Sequence, residues 1–323
     1  MNELVLGALA LVGIVLSANV VVDRSVDLAR RFGISELFIG LTILSIGTSF
    51  PEITSHVVGS LRIVAEPSLR PVVSSIVLGN NIGSNLVQIT LILGLVGLLG
   101  KLVADKKVLR RDYFLMLFAI AVLFFFSLDG TISQFEGFLM FTAYMAYLAF
   151  LGMTERVERK KRKKNGAKFE KIDRQAVVDA VWILGGLTVL FFSADQLITS
   201  ATWAVETFHV SGSLIGVLVM GVASAMPELT TSVTAVLKKS SGISIGTLVG
   251  SNITNPLMGI GLGAMITHYS VEPMILWFDL PFWFFASVVP LVLFWRRKEM
   301  SKRGAALLMG LYALFVLLRL SIR

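Results

Sequence analysis

The sequence contains no cysteine, and this absence excludes disulfide bonds and thiolate metal sites while leaving the cellular compartment open. Charged side chains are also scarce, at 15% of the chain, whereas soluble domains carry roughly 25%. Hydrophobic residues make up 55%, and the mean hydropathy is +0.80. Apolar segments of about 20 residues recur along the whole length, which predicts an all-α polytopic membrane protein.

These apolar segments predict ten membrane-spanning helices. Their approximate bounds are 4–28, 36–61, 72–100, 112–128, 134–152, 176–200, 212–237, 243–267, 274–294 and 303–321. A basic segment separates five spans from the other five. We therefore divide the chain into a first five-helix repeat at 1–154, a basic cytoplasmic loop at 155–175 and a second five-helix repeat at 176–323.

The net charge of +8 and the run "ERVERKKRKKNGAKFEK" are also typical of nuclear-targeting tracts. The distribution of the charge favours a membrane explanation instead. Nearly all basic residues fall in alternate loops, at 30–31, 101–111, 156–174, 238–239 and 296–303, and the opposite side holds only Arg62, Arg70, Arg319 and Arg323. The positive-inside rule then predicts a cell-membrane protein with cytoplasmic basic loops and both termini outside. We expect the lipid bilayer as a partner, no nucleic acid and no obligate protein partner.

The chain contains an internal repeat. Residues 18–52 align without gaps onto 194–228, and "GNNIGSNLVQ" (79–88) aligns with "GTLVGSNITN" (246–255). Because each half has an odd number of spans, the second copy enters the membrane from the opposite side. Inverted repeats are typical of secondary transporters, whose substrate sites lie near the bilayer midplane between the halves.

Each repeat interrupts an apolar span with a proline and a carboxylate, in "GTSFPE" (47–52) and "ASAMPE" (223–228). Proline removes a backbone donor and weakens the helix. Backbone carbonyls that are freed inside a membrane need protein or a bound ion as a partner. Glu52 and Glu228 are the only charged residues deep in their spans, and a lone intramembrane carboxylate indicates function.

The polar residues near these glutamates form a set of hard oxygen ligands. Ser84 and Gln88 are four residues apart and share a helix face, as do Ser251 and Asn255. Six to eight oxygens suit Ca²⁺. The absence of thiols and of paired histidines disfavours zinc and copper. Two carboxylates can cancel the charge of one divalent ion or hold monovalent cations in its place, which is the competition that an antiporter needs.

The paired motifs resemble the two alpha-repeats of the cation/calcium exchanger superfamily, and microbial sodium/calcium exchangers in particular, with the alpha-1 motif at 40–90 and the alpha-2 motif at 216–257. The resemblance covers the ten-span plan. It implies a secondary active antiporter, not an enzyme, that exchanges Na⁺ for Ca²⁺ by alternating access and needs no cofactor. It also implies ion ligands at Glu52, Glu228, Thr48, Ser49, Ser84, Gln88, Ser224, Ser251 and Asn255.

Four residues depart from the family pattern or add to it. Ala225 stands where the family usually has a hydroxyl, and many microbial relatives have Asn and Asp at the positions of Gln88 and Asn255. A glutamine at the place of Gln88 resembles the pattern of the proton/calcium branch of the superfamily. His56 lies one turn beyond Glu52, the first glutamate. An H⁺/Ca²⁺ antiporter is therefore the main alternative. A channel would share these ion ligands but would carry Ca²⁺ without any counter-ion. An intramembrane hydrolase would need a nucleophile–base or diaspartyl pair, and no GxGD or Ser/His pattern of that kind occurs deep in the spans.

Overall fold

The computed structural model describes residues 3–31, 38–104, 106, 108–164, 174–237, 239, 241–297 and 299–322. Over these residues the chain forms ten helical runs. We number them α1 (Glu3–Arg31), α2 (39–65), α3 (Pro67–Leu99), α4 (108–126), α5 (Gln134–Lys164), α6 (Arg174–Phe208), α7 (Gly212–Leu237), α8 (241–266), α9 (275–297) and α10 (Lys302–Ser321). The predicted all-α, ten-helix fold is confirmed. Six of the described runs, α3, α5, α6, α7, α9 and α10, are each long and apolar enough to cross a membrane.

Two of the helices are broken where the sequence predicts an interruption. In α2 the break lies at Ser49 (φ −81°, ψ 1°), and in α7 it lies at Ala225 (φ −79°, ψ 0°). Pro51 and Pro227 each follow as the second residue of the next helical segment, Phe50–Ala65 and Met226–Leu237. At that position the missing proline N–H has no helical partner to lose, so each proline ends one segment and begins another.

Stretches of π-helix occur at matching places in the two halves. They are Ile39–Leu44, Val87–Ile92 and Val108–Tyr113 in the first half, and Gly216–Met220, Asn255–Ile260 and Ile275–Asp279 in the second. A π-turn inserts one extra residue into a helix and frequently marks a functional site. These π-turns were not predicted from the sequence, and their matching positions agree with the internal repeat.

The connections between helices pair in a way that relates the two halves. Between α4 and α5, strand β1 (Thr131–Ile132) pairs antiparallel with β2 (Tyr269–Ser270), which lies between α8 and α9. Elsewhere, Val103 between α3 and α4 forms an antiparallel bridge with Glu299 between α9 and α10. Exchanging the first repeat for the second converts one pairing into the other, as two equivalent five-helix units require.

The centre of the bundle is polar as well as tightly packed. In the most apolar window of α3, 78% of the residues are buried, against 19% in α6, which packs mainly against α1. Glycines allow close crossings of α3 with α7 and of α2 with α8. Several polar side chains of α3 are nevertheless fully buried, namely Asn81, Ser84, Asn85 and Gln88. Buried polar groups need partners, so the centre of the bundle is where a site is expected.

The largest difference between the predicted and the observed helix bounds is at the end of α5. Helix α5 continues to Lys164, beyond the start of the loop predicted at 155–175, whose residues 165–173 lie outside the described part of the chain. Charged residues with good helix propensity extend the helix past its apolar part. Glu158 and Lys161 form a 3.1 Å ion pair on this extension, which adds weak support.

Candidate ion-binding site

Glu52 and Glu228 lie directly after the two helix breaks, each in the first turn of the following segment. Both side chains are 0% exposed. A helix N-terminus carries partial positive charge, which stabilises a carboxylate placed there. The two carboxylates are also close enough to interact electrostatically with each other. The broken helices of the two repeats thus bring two negative charges to one buried place.

Hydroxyl groups from both repeats surround each carboxylate. Ser84 donates a hydrogen bond to Glu52 Oε1, and Ser224 also lies beside Glu52. Thr48 and Ser251 lie beside Glu228, and their own hydroxyl oxygens are 3.3 Å apart. Each glutamate therefore has one hydroxyl neighbour from its own repeat and one from the other. This arrangement follows the alignment, in which Thr48 matches Ser224 and Ser84 matches Ser251.

Several buried oxygens of this cluster have no hydrogen-bond partner among the described residues. They are Glu52 Oε2, Glu228 Oε1 and Oε2, Ser49 Oγ and Asn255 Oδ1. A buried polar atom without a partner carries a large desolvation cost, and a buried charge carries a larger one. A cation would satisfy these atoms, since every one of them can donate an electron pair. Ala225, the repeat equivalent of Ser49, adds no side-chain oxygen.

The two amide residues predicted as ligands are both buried, but they differ in their contacts. Gln88 Nε2 donates to Ser84 Oγ at 3.0 Å, and Gln88 Oε1 accepts from Asn252 Nδ2 at 2.9 Å. Asn255 Nδ2 donates to Asn85 Oδ1 at 2.9 Å, while Asn255 Oδ1 has no hydrogen-bond partner within the described ranges. The side-chain oxygen is therefore occupied in Gln88 and free in Asn255.

His56 is fully buried one turn beyond Glu52, and both of its ring nitrogens have partners. Nε2 lies 3.1 Å from Asn81 Nδ2, and Nδ1 lies 3.2 Å from the Tyr269 hydroxyl. Tyr269 in turn lies 2.7 Å from Ser60 Oγ. Among the described residues, the hydrogen bonds of the His56 ring thus go to Asn81 and to Tyr269 of β2, and neither bond reaches a central carboxylate.

Sequence reasoning missed the asparagines that support the predicted ligands. Asn81 and Asn85 flank the Gly-Ser pair in "GNNIGSN", and their place in the motif was the available signal. Asn252 begins an Asn-Ile-Thr triplet inside a predicted span, and nothing in that triplet signals a supporting role. Trp283, in α9, gave no sequence signal, yet its indole Nε1–H donates to Asn252 Oδ1 at 3.1 Å. Distant positions in the sequence meet here, which spacing alone does not reveal.

The chemistry of the cluster is that of a hard-cation site. Within the described ranges, no group of three or more His, Cys, Asp or Glu side chains is placed to hold a metal ion. Two carboxylates with hydroxyl and amide oxygens remain, which suits Ca²⁺ and alkali ions better than soft transition metals. All nine residues predicted as ligands lie in the two broken helices and in α3 and α8, and all are buried.

Comparison with known proteins agrees with this chemistry. The family model described as "Sodium/calcium exchanger protein" matches residues 3–153 and 178–321. The inner membrane protein YrbG of Escherichia coli (strain K12) is 30% identical over 309 residues, which cover 94% of this chain and 92% of YrbG. Sodium/calcium exchanger MaX1 of Methanosarcina acetivorans is 27% identical in an alignment that covers 95% of each chain.

Solved structures share the fold. A structure of the sodium-calcium exchanger NCX_Mj, soaked with 10 mM Na⁺ and 10 mM Sr²⁺, superimposes with a TM-score of 0.68 at 23% identity. The match covers 99% of this chain and 98% of that one. At this identity the likeness establishes the architecture alone.

Proposed function

This chain belongs to the family of sodium/calcium exchanger proteins, and on that premise we propose that it is an antiporter that exchanges Na⁺ for Ca²⁺ by alternating access. Membership makes it a multi-pass membrane transporter of cations. The proposal assigns ion binding to Glu52 and Glu228, with oxygens from their neighbours in α2, α3, α7 and α8. Binding between the inverted repeats lets both sides of the membrane reach one site in turn.

The observation that carries the proposal is a group of buried oxygens that have no hydrogen-bond partner in the described part of the chain. Glu228 has two, and Glu52 Oε2, Ser49 Oγ and Asn255 Oδ1 each add one. Two carboxylates need two positive charges, which one Ca²⁺ or a pair of monovalent cations supplies. Thr48, Ser84, Ser224 and Ser251 place hydroxyl groups beside the two carboxylates. These contacts support ion binding by the residues that the sequence predicts as ligands.

The same electrostatics explain exchange rather than one-way flow. An empty site would carry two uncompensated carboxylates through a low-dielectric interior, which is strongly unfavourable. Reorientation is therefore expected only when Glu52 and Glu228 are neutralised by bound ions. Each ion that leaves has to be replaced before the protein returns, and this couples the two fluxes.

An H⁺/Ca²⁺ antiporter is the second candidate, because buried carboxylates can also be neutralised by protons. Gln88 is the residue that favours it by resemblance. Against it, the ring nitrogens of His56 contact Asn81 and Tyr269, and among the described residues neither nitrogen hydrogen-bonds to a carboxylate. The hydroxyl and amide oxygens also have a use in binding Na⁺ that a proton would not require. We therefore place Na⁺ first.

We further propose that the basic loops, including 155–175, face the cytoplasm and that both termini lie outside the cell membrane. The distribution of Lys and Arg supports this orientation. The pairing of Val103 with Glu299 supports placing two of the basic connections, the one between α3 and α4 and the one between α9 and α10, on the same side of the membrane.

Neutralising either glutamate tests the function. Glu52→Gln and Glu228→Gln each keep the shape of the side chain and remove one charge. We expect each to lower the initial rate of Ca²⁺ uptake into Na⁺-loaded proteoliposomes by about a hundredfold or more, because a single charge no longer balances a divalent ion. Glu66→Gln, in the exposed connection after α2, is the matched control and should leave uptake unchanged. Uptake at the wild-type rate in either central variant would disprove the assignment.

A further inference from the structure

Gln88 and Asn255 lie at equivalent places in the two repeats, but their side-chain amides are oriented differently in the buried cluster. Gln88 turns its NH₂ group toward Ser84, whereas the oxygen of Asn255 has no partner among the described residues. Each lies four residues after the serine of a Gly-Ser pair, and each is fully buried. An amide has a donor end and an acceptor end, so its orientation is fixed wherever a neighbour can only donate or only accept. Both residues are linked to such a neighbour.

The chain of hydrogen bonds through Gln88 begins at a donor. The indole Nε1–H of Trp283 can only donate, so the atom of Asn252 that faces it is Oδ1, at 3.1 Å. Asn252 Nδ2 then donates to the backbone carbonyl of Leu248 at 2.9 Å and to Gln88 Oε1 at 2.9 Å. This leaves the NH₂ group of Gln88 to donate to Ser84, whose own hydroxyl donates to Glu52.

The chain through Asn255 begins at an acceptor. The backbone carbonyl of Asn255 accepts from Asn81 Nδ2 at 2.8 Å, so Asn81 Oδ1 is free to accept from Asn85 Nδ2 at 3.0 Å. Asn85 Oδ1 then accepts from Asn255 Nδ2 at 2.9 Å. The only end of the Asn255 amide left over is its oxygen, which is buried and without a partner among the described residues.

We propose that Asn252 and Trp283 are specificity-determining residues that hold the NH₂ group of Gln88 toward Ser84 and Glu52, and so withhold one oxygen from the ion site. The proposal deepens the ion exchange proposed above and rests on it. Gln88 then acts as a positioning residue for Ser84, while Asn255 acts as an ion ligand. Only the second repeat then contributes an amide side-chain oxygen to the ion site, although the two repeats that build the site are equivalent.

Turning the Gln88 amide by half a turn is unfavourable. Its NH₂ group would face Asn252 Nδ2, donor against donor, and its oxygen would compete with Glu52 for the Ser84 hydroxyl proton. Leaving a buried donor unsatisfied shifts a population by roughly ten- to a hundredfold. A cation would have to overcome this preference before it could bind Gln88 Oε1.

Replacing the Asn252 donor that orients the Gln88 amide gives a direct test. Asn252→Asp, measured at a pH where the new carboxyl group is ionised, removes the N–H group that faces Gln88 and places an acceptor there, so the Gln88 amide should turn and offer its oxygen to the site. Gln88→Met, which has neither donor nor acceptor of comparable strength, is then made in both backgrounds. Equilibrium ⁴⁵Ca²⁺ binding to the purified protein is the readout. The charge added by Asn252→Asp is the same for both members of its pair and cancels in the comparison.

We expect Gln88→Met to weaken Ca²⁺ binding by about threefold or less in the wild-type background, where no oxygen is lost. In the Asn252→Asp background it should weaken binding by about tenfold or more, because an ion ligand is removed. Asn255→Leu in the wild-type background should match that larger loss. An equal effect of Gln88→Met in both backgrounds, or a loss as large as that of Asn255→Leu in the wild type, would overturn the proposal.

Failure of the proposed function would look different. If Glu52→Gln and Glu228→Gln keep wild-type ⁴⁵Ca²⁺ binding, the ion site itself is misplaced. If they abolish binding and the two backgrounds still respond alike, only the orientation of Gln88 is wrong. Size-exclusion elution as a single symmetric peak confirms that each variant is folded before its binding is compared.

Discussion

Gly79→Ala should destabilise the protein and slow ion transport, whereas Gly246→Ala, at the equivalent position of the second repeat, should do neither. A Cβ atom on Gly79, in α3, would lie 2.9 Å from the backbone oxygen of Ser213 and 3.1 Å from the backbone nitrogen of Val217 in α7. A Cβ atom on Gly246, in α8, would meet nothing closer than 3.7 Å. The same substitution thus meets a crowded crossing in one repeat and an ordinary contact in the other.

The size of the effect follows from what each methyl group touches. Backbone atoms cannot turn aside as a flexible side chain can, so α3 and α7 have to separate at Gly79. Overpacking of this kind costs about 1–3 kcal/mol. Alanine is better than glycine in a helix by about 1 kcal/mol, so Gly79→Ala should lose up to about 2 kcal/mol in net stability. Because both variants gain this helix contribution, Gly79→Ala should be about 1–3 kcal/mol less stable than Gly246→Ala. At Gly246 only the higher helix propensity of alanine applies, so Gly246→Ala should be as stable as the wild type or slightly more stable.

The separation at Gly79 should also reach the site. Asn80, next in sequence, accepts a hydrogen bond from Ser224 of α7 at 2.9 Å, and Ser224 lies beside Glu52. Thermal unfolding of both purified variants in one detergent, followed by Ca²⁺ uptake in proteoliposomes, measures the two consequences. Equal melting temperatures for the variants, or a larger loss in Gly246→Ala, would refute the close crossing of α3 and α7.

Two further predictions concern the site and the orientation. Asn255→Asp should still transport Ca²⁺, but its uptake should depend more steeply on pH near neutrality than that of the wild type. The reason is that an aspartate at 255 can donate a hydrogen bond to Asn85 only when it is protonated. An unchanged profile of Ca²⁺ uptake against pH would show that residue 255 is not part of the site. Because the chain has no native cysteine, single-cysteine variants report on which side of the membrane a residue lies. Ser68→Cys should react with an impermeant thiol reagent in intact cells, and Glu158→Cys should react only after permeabilisation. The reverse labelling pattern would contradict the proposed orientation.

Much of the architecture could be predicted because its signals are local. Apolar runs give the ten helices, and the gapless alignment of 18–52 with 194–228 gives the repeat. Pro51 and Pro227 mark the breaks, since a proline lacks the donor that a continuous helix needs. Glu52 and Glu228 stand out because a charge in an apolar span is costly and rare.

The remaining features depend on contacts that spacing does not contain. A sequence letter does not say which end of an amide faces the site, and for Gln88 that is decided by Asn252 and Trp283 from the other repeat. The end of α5 also could not be placed, because the charged residues that predict a loop are good helix formers. The bridge between Val103 and Glu299 joins segments from opposite halves, so neither segment signals it alone.

The central claim is that Ca²⁺ movement is coupled to Na⁺, and a swap of the counter-ion tests it most directly. Purified protein is reconstituted into proteoliposomes, and ⁴⁵Ca²⁺ uptake is measured under an outward Na⁺ gradient at equal pH, and then under a pH gradient of either sign without Na⁺. We predict that the Na⁺ gradient alone drives uptake and that uptake stops when Na⁺ is replaced by choline. Uptake driven equally well by a pH gradient in the absence of Na⁺ would contradict the assignment of Na⁺ as the counter-ion.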